Sequence, residues 1–305
     1  MKNKTIAIQG DSLKILNPKT DTTIFLAIEA QKNNKIFYYE PKDLYIKNKD
    51  IFAKGAFVKF SYLSNSYFKI LNKQILKLEE ADIILIRQDP PFNLEYITTT
   101  HILEKLKKPN IINNPTAIRN ISEKLYSTLF AKYMPNTIFT SNLDEICKFI
   151  EINKKVVIKP IYGFGGNNIH LVTNKTSKST LKKIVGKRGH LMCQKFLPGI
   201  KKGDKRVFIL NGKVRGAISR VPKDGSFLSN ISKGAIAKIT KINKKEMKIC
   251  REIGRDLKKN NIFFSGIDFI SGKLNGDINV TSPTGIKTYF DLTGINLAKI
   301  FWNEL

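Results

Sequence analysis

Short apolar runs rich in Ile, Val and Phe recur along the chain, and polar stretches with helical spacing separate them. Residues 5–9, TIAIQ, predict a first strand, with Gly10-Asp11-Ser12 as the loop leaving its end. Thr22 to Gln31 follows with Ile24 and Leu26-Ala27-Ile28 on one helical face, and Asp21 or Thr22 supplies the N-cap. Lys35 to Tyr39 and Ala81 to Ile86 predict two further strands, the latter running straight into Arg87-Gln88-Asp89-Pro90-Pro91-Phe92. A helical stretch at 95–107 precedes a short strand and turn at Asn110–Pro115. Strands alternating with helices over residues 1–119 predict an α/β unit with an open parallel sheet. Ligands collect beyond the strand C-termini of such sheets, where Asp11 and Arg87 fall.

A boundary near Pro115–Asn120 opens a second unit, 120–197, that begins with a helix from Ser122 to Lys132 and carries Lys124 in its first turn. Thr137–Thr140 predicts a strand, Leu143–Ile152 a helix, Leu181–Val185 a short helix and His190–Phe196 a closing strand. Between them lies KVVIKPIYGFGGNNIHLV, residues 155–172. Val156-Val157-Ile158 reads as a buried strand ending in Lys159-Pro160, and a second apolar run, Ile169 to Val172, follows the glycines Gly163, Gly165 and Gly166. No helix pattern follows the glycines, so the stretch is neither a Walker P-loop nor a dinucleotide-binding turn. Glycines here leave backbone N–H groups unscreened and free to close over phosphate oxygens, with the Lys159 ammonium adding a fixed charge. Taken alone, the pattern equally suits a Gly-rich hairpin with a surface lysine. Gln194 to Pro198 reads as a hinge out of this unit.

The remainder, 198–305, predicts strands at Arg206–Leu210 and Lys213–Ser219 and a loop at 222–236. A helix at Lys244–Asn260, a hairpin at 262–281 and a terminal helix at 294–303 complete it. If Lys273-Leu274 centres the hairpin turn, Asp268 faces Asn279 and Asp277 is a diagonal neighbour on the same face. Three oxygen side chains with no His or Cys suit Mg²⁺ that keeps waters and shares phosphates, although a solvated polar face would look the same.

Composition narrows the classes. Hydrophobic content of 42% and charged content of 26% are those of a globular protein of 305 residues. No run approaches a membrane span, and the apolar segment at residues 5–9 is too short for a signal-peptide core. Cys147, Cys193 and Cys250 are odd in number and far apart, which points away from disulfides or zinc and toward a reducing cytoplasm. The net charge of +28 raises a nucleic-acid or acidic-membrane partner. The lysines are diffuse, however, and mixed with Asn and Ile, so no specific nucleic acid and no membrane are expected. His101, His170 and His190 are isolated, and no Gly-x-Ser-x-Gly motif is present, which argues against covalent catalysis.

Together these stretches resemble the ATP-grasp ligases, and most closely the bacterial glutathione synthetase family. The likeness rests on IRQDPPF at 86–92, NISEKLYSTLF at 120–130, VVIKPIYGFGG at 156–166, QKFLPGIKKGDKRVFILNGK at 194–213, GIDFI at 266–270 and INVTSPTGI at 278–286. It implies an ATP-grasp fold: an N-terminal open parallel sheet domain (1–119), a small α+β lid (120–197) and a C-terminal α+β catalytic domain (198–305). It also implies that Lys124 and Lys159 contact ATP phosphates, with Tyr162, Gly163, Phe164, Gly165 and Gly166 as a closing lid. Gln194, Lys195, Phe196 and Leu197 give the adenine hinge, and Asn230 joins the nucleotide side. By the same resemblance Arg206 and Arg220 act with Lys159 in catalysis, and Asp268, Asp277 and Asn279 hold Mg²⁺, with Mn²⁺ as an alternative. Arg87, Ser282, Pro283 and Thr284 stand on the substrate side. The implied reaction joins γ-glutamylcysteine to glycine through an acyl phosphate in a cytoplasmic homo-oligomer.

Three departures from the family pattern stand out. Asp277 occupies a usual Glu position after a hairpin turn one residue longer, the loop Lys223–Ala237 lacks the acid, the arginine and the second glycine common there while keeping Asn230 and Gly234, and Tyr162 replaces an Asp. Another ATP-grasp ligase, an ATP-binding protein without turnover and a nucleic-acid binder are the competing expectations.

Overall fold

The computed structural model describes residues 3–63, 66–186, 188–223, 226 and 228–305, the Ser232 side chain aside. Its strands form three sheets. The first contains β1 (Thr5–Gln9), β2 (Lys35–Tyr39), β3 (Leu44–Lys47), β4 (Asp50–Phe60), β5 (Phe68–Lys77), β6 (Ile83–Ile86) and β7 (Asn110–Ile112). They run in the order β3-β4-β2-β1-β6-β7, with β5 paired to β4. The strands β2, β1, β6 and β7 pair in parallel, as the alternation of strands and helices predicts. The sheet as a whole is nevertheless mixed, because β4 is antiparallel to β2 and carries antiparallel β3 and β5. This antiparallel extension is absent from the pattern reading. Strand β4 alternates, but Lys54-Gly55 interrupts its buried positions between Ala53 and Ala56, and β5, which carries the extra residue Leu71 of a bulge opposite Phe57 and Val58, is mostly exposed.

Helix α1 (Thr22–Ala30) is capped by Asp21, whose Oδ1 accepts from the Ile24 N–H at 2.7 Å. Helix α2 (Leu94–Leu103) is capped in the same way by Asn93. The boundary segment is itself a helix, α3 (Pro115–Asn120), with Pro at its start. The helix expected over Ser122–Lys132 is instead a turn followed by a 3₁₀ segment, Tyr126–Tyr133, kinked at Phe130. Ser127 and Thr128 hydroxyls donate back to the Lys124 and Leu125 carbonyls at 2.5 and 2.7 Å, an i−3 pattern that competes with the α-helical ladder.

The second sheet, β10-β9-β11-β8, is antiparallel and built from β8 (Thr137–Thr140), β9 (Lys155–Pro160), β10 (His170–Thr173) and β11 (Leu191–Lys195). Helices α4 (Leu143–Asn153) and α5 (Lys178–Val185) cover one face and share a core with Val156, Ile158 and Cys193. The third sheet, β14-β13-β12-β15-β16, comprises β12 (Asp204–Leu210), β13 (Lys213–Val221), β14 (Ile236–Ile239), β15 (Phe264–Ile270) and β16 (Lys273–Asn279). Helix α6 (Lys244–Lys259) packs on it and starts with an Asn243/Glu246 capping box. Strand β14 lies at the end of what reads as a loop, and Arg220 sits within β13 rather than at its end.

The single terminal helix expected at 294–303 is two helices, α7 (Ile286–Thr293) and α8 (Leu297–Asn303), with Gly294 ending α7 at φ 73°. These helices join the first and third sheets through one core, in which Phe25 and Leu26 meet Phe208, Phe301 and Trp302. The Trp302 indole donates to the Leu26 carbonyl at 2.8 Å.

The hairpin of β15 and β16 departs from its expected register. Ser271 and Gly272, at φ 51° and 73°, form a two-residue turn that pairs Ile270 with Lys273. The register then breaks, so that Asp268 lies opposite the segment Asn275-Gly276-Asp277 while Gly266 faces Asn279. The additional length is thus a bulge within the strand, not a longer turn.

Candidate active site

A cavity of about 580 Å³ opens where the three sheets meet. Its floor is set by strand alternation. On β12, Asp204 and Arg206 point to the same face; Asp204 pairs across to Arg220 on β13, and Arg206 pairs across to Asp268 on β15. Arg206 grips Asp268 through two parallel bonds, Nε to Oδ1 at 2.7 Å and Nη2 to Oδ2 at 2.6 Å. Arg220 does the same to Asp204 and reaches Asp268 Oδ2 at 2.9 Å. The Ser229 hydroxyl completes Asp204 at 2.7 Å. All four charged side chains are buried. Burial pushes the Asp268 carboxyl up, but the Arg206 and Arg220 charges outweigh it and hold the group well below the usual carboxylate range. Asp204, dominated by burial, lies above it.

Above this floor stand two lysines. Lys159 ends β9, where its Nζ meets Asp277 at 3.1 Å and donates to the Asn275 carbonyl at 3.0 Å. Lys124 lies 3.5 Å from Asp277 and donates to the Gly163 carbonyl at 2.7 Å. The hairpin bulge supplies both Asn275 and Asp277 to these ammonium groups. Burial acts to raise the Asp277 carboxyl, yet Lys159 and then Lys124 lower it on balance. Glu123, just before Lys124, accepts from the Thr281 hydroxyl at 2.8 Å, and burial raises its carboxyl.

The glycine loop crosses the cavity, with Gly163, Phe164, Gly165 and Gly166 in its lining. Gly165 and Gly166 adopt φ 61° and 76°, and a Cβ on Gly166 would come within 2.6 Å of Asn230 Oδ1. Gln194, Lys195, Phe196 and Leu197 form an adjoining wall with Asn230. The Phe196 N–H donates to the Lys155 carbonyl at 2.9 Å, while the Lys155 ammonium lies 4.3 Å from the Phe196 ring centre. Ser282 and Thr284 line the far end with Asp11, Asp21 and Asp89.

Three expected site side chains stand outside this cavity. Arg87 is buried behind the wall: Nε donates to the Thr23 hydroxyl and Nη2 to the Pro283 carbonyl, each at 3.1 Å, so it ties the first sheet to the segment after β16. Pro283 is buried beside it. Tyr162 turns outward and stacks on Phe92, 6.1 Å between ring centres and 18° between planes. In the 223–237 loop, Asp224, Gly225 and Phe227 lie outside the described residues. Sequence reasoning passed over Glu123, Asp204, Asn275 and Asp89. Asp204 carried a signal, since it opens the Asp-Lys-Arg run two positions before Arg206.

Asp268, Asp277 and Asn279 all reach the cavity. Among the described residues, no three His, Cys, Asp or Glu side chains are grouped so as to hold a metal alone. The donors are all oxygen and their carboxylates already face cations, which suits a hard ion shared with phosphates rather than one caged by protein.

Two family models match. The prokaryotic glutathione synthetase N-terminal domain covers residues 5–119, and the prokaryotic glutathione synthetase ATP-grasp domain covers 123–294. The glutathione synthetase of Agrobacterium fabrum is 35% identical over 309 residues, spanning 100% of this chain and 97% of that one. That of Buchnera aphidicola from Schizaphis graminum is 33% identical, over 96% of this chain and 95% of its own. Among solved structures, a D-cycloserine synthetase superposes with TM-score 0.69 at 9% identity, covering 98% of this chain and 97% of the other. The D-alanyl-alanine synthetase A of Vibrio cholerae gives TM-score 0.60 at 15% identity, over 99% and 98% of the two chains. These structures share the ATP-grasp fold with this chain.

Proposed function

The chain belongs to the prokaryotic glutathione synthetase family, an ATP-dependent carboxylate–amine ligase of the ATP-grasp fold, and we propose that it joins γ-glutamylcysteine to glycine. The observation that carries this reading is the full-length match to glutathione synthetases. The reading divides the chain into a substrate-side domain (1–119), a lid (120–197) and a catalytic domain (198–305).

The substrate carboxylate attacks the γ-phosphorus of ATP, ADP leaves, and an acyl phosphate forms. The glycine amine then adds to the acyl carbon, loses a proton, and phosphate departs. Such chemistry needs positioning and charge neutralisation rather than a protein nucleophile. Lys159 and Lys124 neutralise the phosphates, and the N–H groups of Gly163 to Gly166 close over them. Adenine lies along Gln194 to Leu197. Arg206 and Arg220, held rigid by Asp268 and Asp204, face the transferring phosphoryl group. Asp268, Asp277 and Asn279 would hold Mg²⁺, or Mn²⁺ in its place, which supplies charge neutralisation at the phosphates when bound. Ser282 and Thr284 meet the peptide substrate, and Arg87 supports that wall from behind.

Free Cys147, Cys193 and Cys250 suit a reducing cytoplasm, where the substrate thiol also persists. Exposed Ile70, Leu71 and Ile75 on β5 offer a surface for a homo-oligomer. No helix among the described residues is long and apolar enough to cross a membrane.

The test is a ligase assay with purified protein. ADP and phosphate release should require γ-glutamylcysteine, glycine and Mg-ATP together, with glutathione as the product. Release that proceeds equally with D-alanine as sole substrate would reassign the enzyme to dipeptide ligation.

A further inference from the structure

Unlike Asp204, Asp268 and Asp277 in the same cavity, Glu123 is in no ion pair at salt-bridge distance among the described residues. Its side chain is half-buried, and three contacts converge on this residue. Its Oε1 accepts from the Thr281 hydroxyl at 2.8 Å. Its backbone carbonyl accepts from the Ile278 N–H at 3.1 Å, which ties it to the end of β16. Its Oε2 faces the amide of Asn279. With the amide nitrogen of Asn279 turned to Glu123, it donates to Oε2 at 3.2 Å, and the amide oxygen accepts from Arg206 Nη2 at 2.8 Å; the opposite orientation places acceptor against acceptor and donor against donor.

We propose that Glu123 is a positioning residue. It fixes which way the Asn279 amide points, so that the oxygen is directed away from Glu123, toward Arg206, and is available as a hard donor. It also tethers Thr281, which directly precedes the wall formed by Ser282 and Thr284. An acceptor is required at this place, because only an acceptor selects the amide nitrogen. A carboxylate provides one oxygen for Asn279 and another for Thr281 with no donor of its own, whereas a glutamine must present an N–H to one of them. The inference rests on the reading of Asn279 as a metal-side residue.

Calorimetry of ADP binding, with Mg²⁺ and with EDTA, tests it without recourse to turnover. Glu123→Gln should leave the affinity in EDTA within about twofold of wild type. It should weaken the enhancement given by Mg²⁺ by about tenfold, the lower end of what loss of a group that orients a ligand costs. Asn279→Asp sets two carboxylates against each other, so Asn279→Asp with Glu123→Gln should bind Mg-ADP more tightly than Asn279→Asp alone. A thermal melt for each variant identifies those that fold. If Asn279→Ala leaves the Mg²⁺ enhancement intact, the metal reading falls and the proposal with it. If Asn279→Ala loses the enhancement while Glu123→Gln keeps it, or if the two substitutions at 123 and 279 are simply additive, only the role of Glu123 is overturned.

Discussion

The floor of the cavity and the loop that crosses it are built on opposite principles. In the floor, Asp204, Arg206, Arg220 and Asp268 occupy three adjacent strands, are buried, and meet through bidentate bonds that leave each side chain one geometry. In the glycine loop, few backbone bonds hold residues 161–169: Gly163 N–H to the Pro160 carbonyl and Asn167 N–H to the Phe164 carbonyl, each at 3.1 Å. Lys124 and the Tyr162–Phe92 stack add the remaining anchors. Charge stabilisation of a transferring phosphoryl group is effective only where the dipoles and charges are fixed beforehand, so the floor must not relax. A cover for the nucleotide must open and close, and such segments come from the low-stability end of a structure. Each region should therefore fail in its own way when broken.

The largest effect belongs to the floor. Asp268→Asn leaves Arg206 and part of Arg220 buried without a counter-charge, and breaking such a pair costs on the order of 3–5 kcal/mol of stability. Denaturant unfolding should show this loss directly, whether or not nucleotide is present. A midpoint equal to wild type would mean that the floor is as adaptable as the loop.

Next comes Lys159, where the two regions meet. Lys159→Met keeps most of the apolar stem and removes the charge. We expect a loss of about 2–4 kcal/mol in transition-state stabilisation, read as kcat/KM for ATP. Unfolding should change less than for Asp268→Asn, because Lys124 remains beside Asp277 when Lys159 is removed. An unchanged kcat/KM excludes the phosphate role.

Asp277 gives the comparison a pH axis. Its carboxyl is lowered in the folded protein by Lys159 and Lys124 against the opposing effect of burial. A folded pKa below the unfolded value of about 3.9 means a stabilising contribution that is fully present above that value. It is lost as the pH falls from there through the folded pKa. Asp277→Asn should therefore flatten the acid limb of stability against pH, and at limiting Mg²⁺ lower ligase activity by at least ~10-fold. Asp277→Asn with wild-type activity and an unaltered acid limb would leave the hairpin as a solvated face.

The contrast between the regions also explains what the sequence could reveal. The floor was legible in its residues, Arg206 and Arg220 through the family resemblance and Asp268 also through its place in the hairpin, but its pairing was not. Each arginine finds its carboxylate across a strand, at separations of 62 and 16 residues. The lid loop was legible as a loop because glycines and proline punctuate it. The 3₁₀ segment at Tyr126–Tyr133 was not, because hydroxyl bonds to the backbone override a helical apolar pattern. The bulge at Asn275–Asp277 was misplaced into the turn, since length alone cannot tell a longer turn from an extra residue in the ladder. Arg87 reads as a substrate ligand from its place after β6; its burial against Thr23 and Pro283 depends on the packing of a segment nearly two hundred positions away.

The smallest expected effect tests whether the lid is latched from outside. Tyr162, where the family pattern has an Asp, stacks on Phe92 with planes 18° apart, and Phe92 belongs to the loop carrying Asp89 on the substrate-side wall. An aromatic pair of this kind contributes roughly 0.5–1.5 kcal/mol beyond the area it covers. Because Tyr162 is 58% exposed, little of that should appear in global unfolding. It should appear instead in closure, as a KM for ATP raised by about 2- to 10-fold in Tyr162→Ala at nearly constant kcat. Phe92→Ala should do the same, and the double variant should add little to either, since the partners form one contact. Additive losses would show that each ring acts alone, and the loop would then be held over the cavity by Lys124 and the Pro160 turn without help from the first domain.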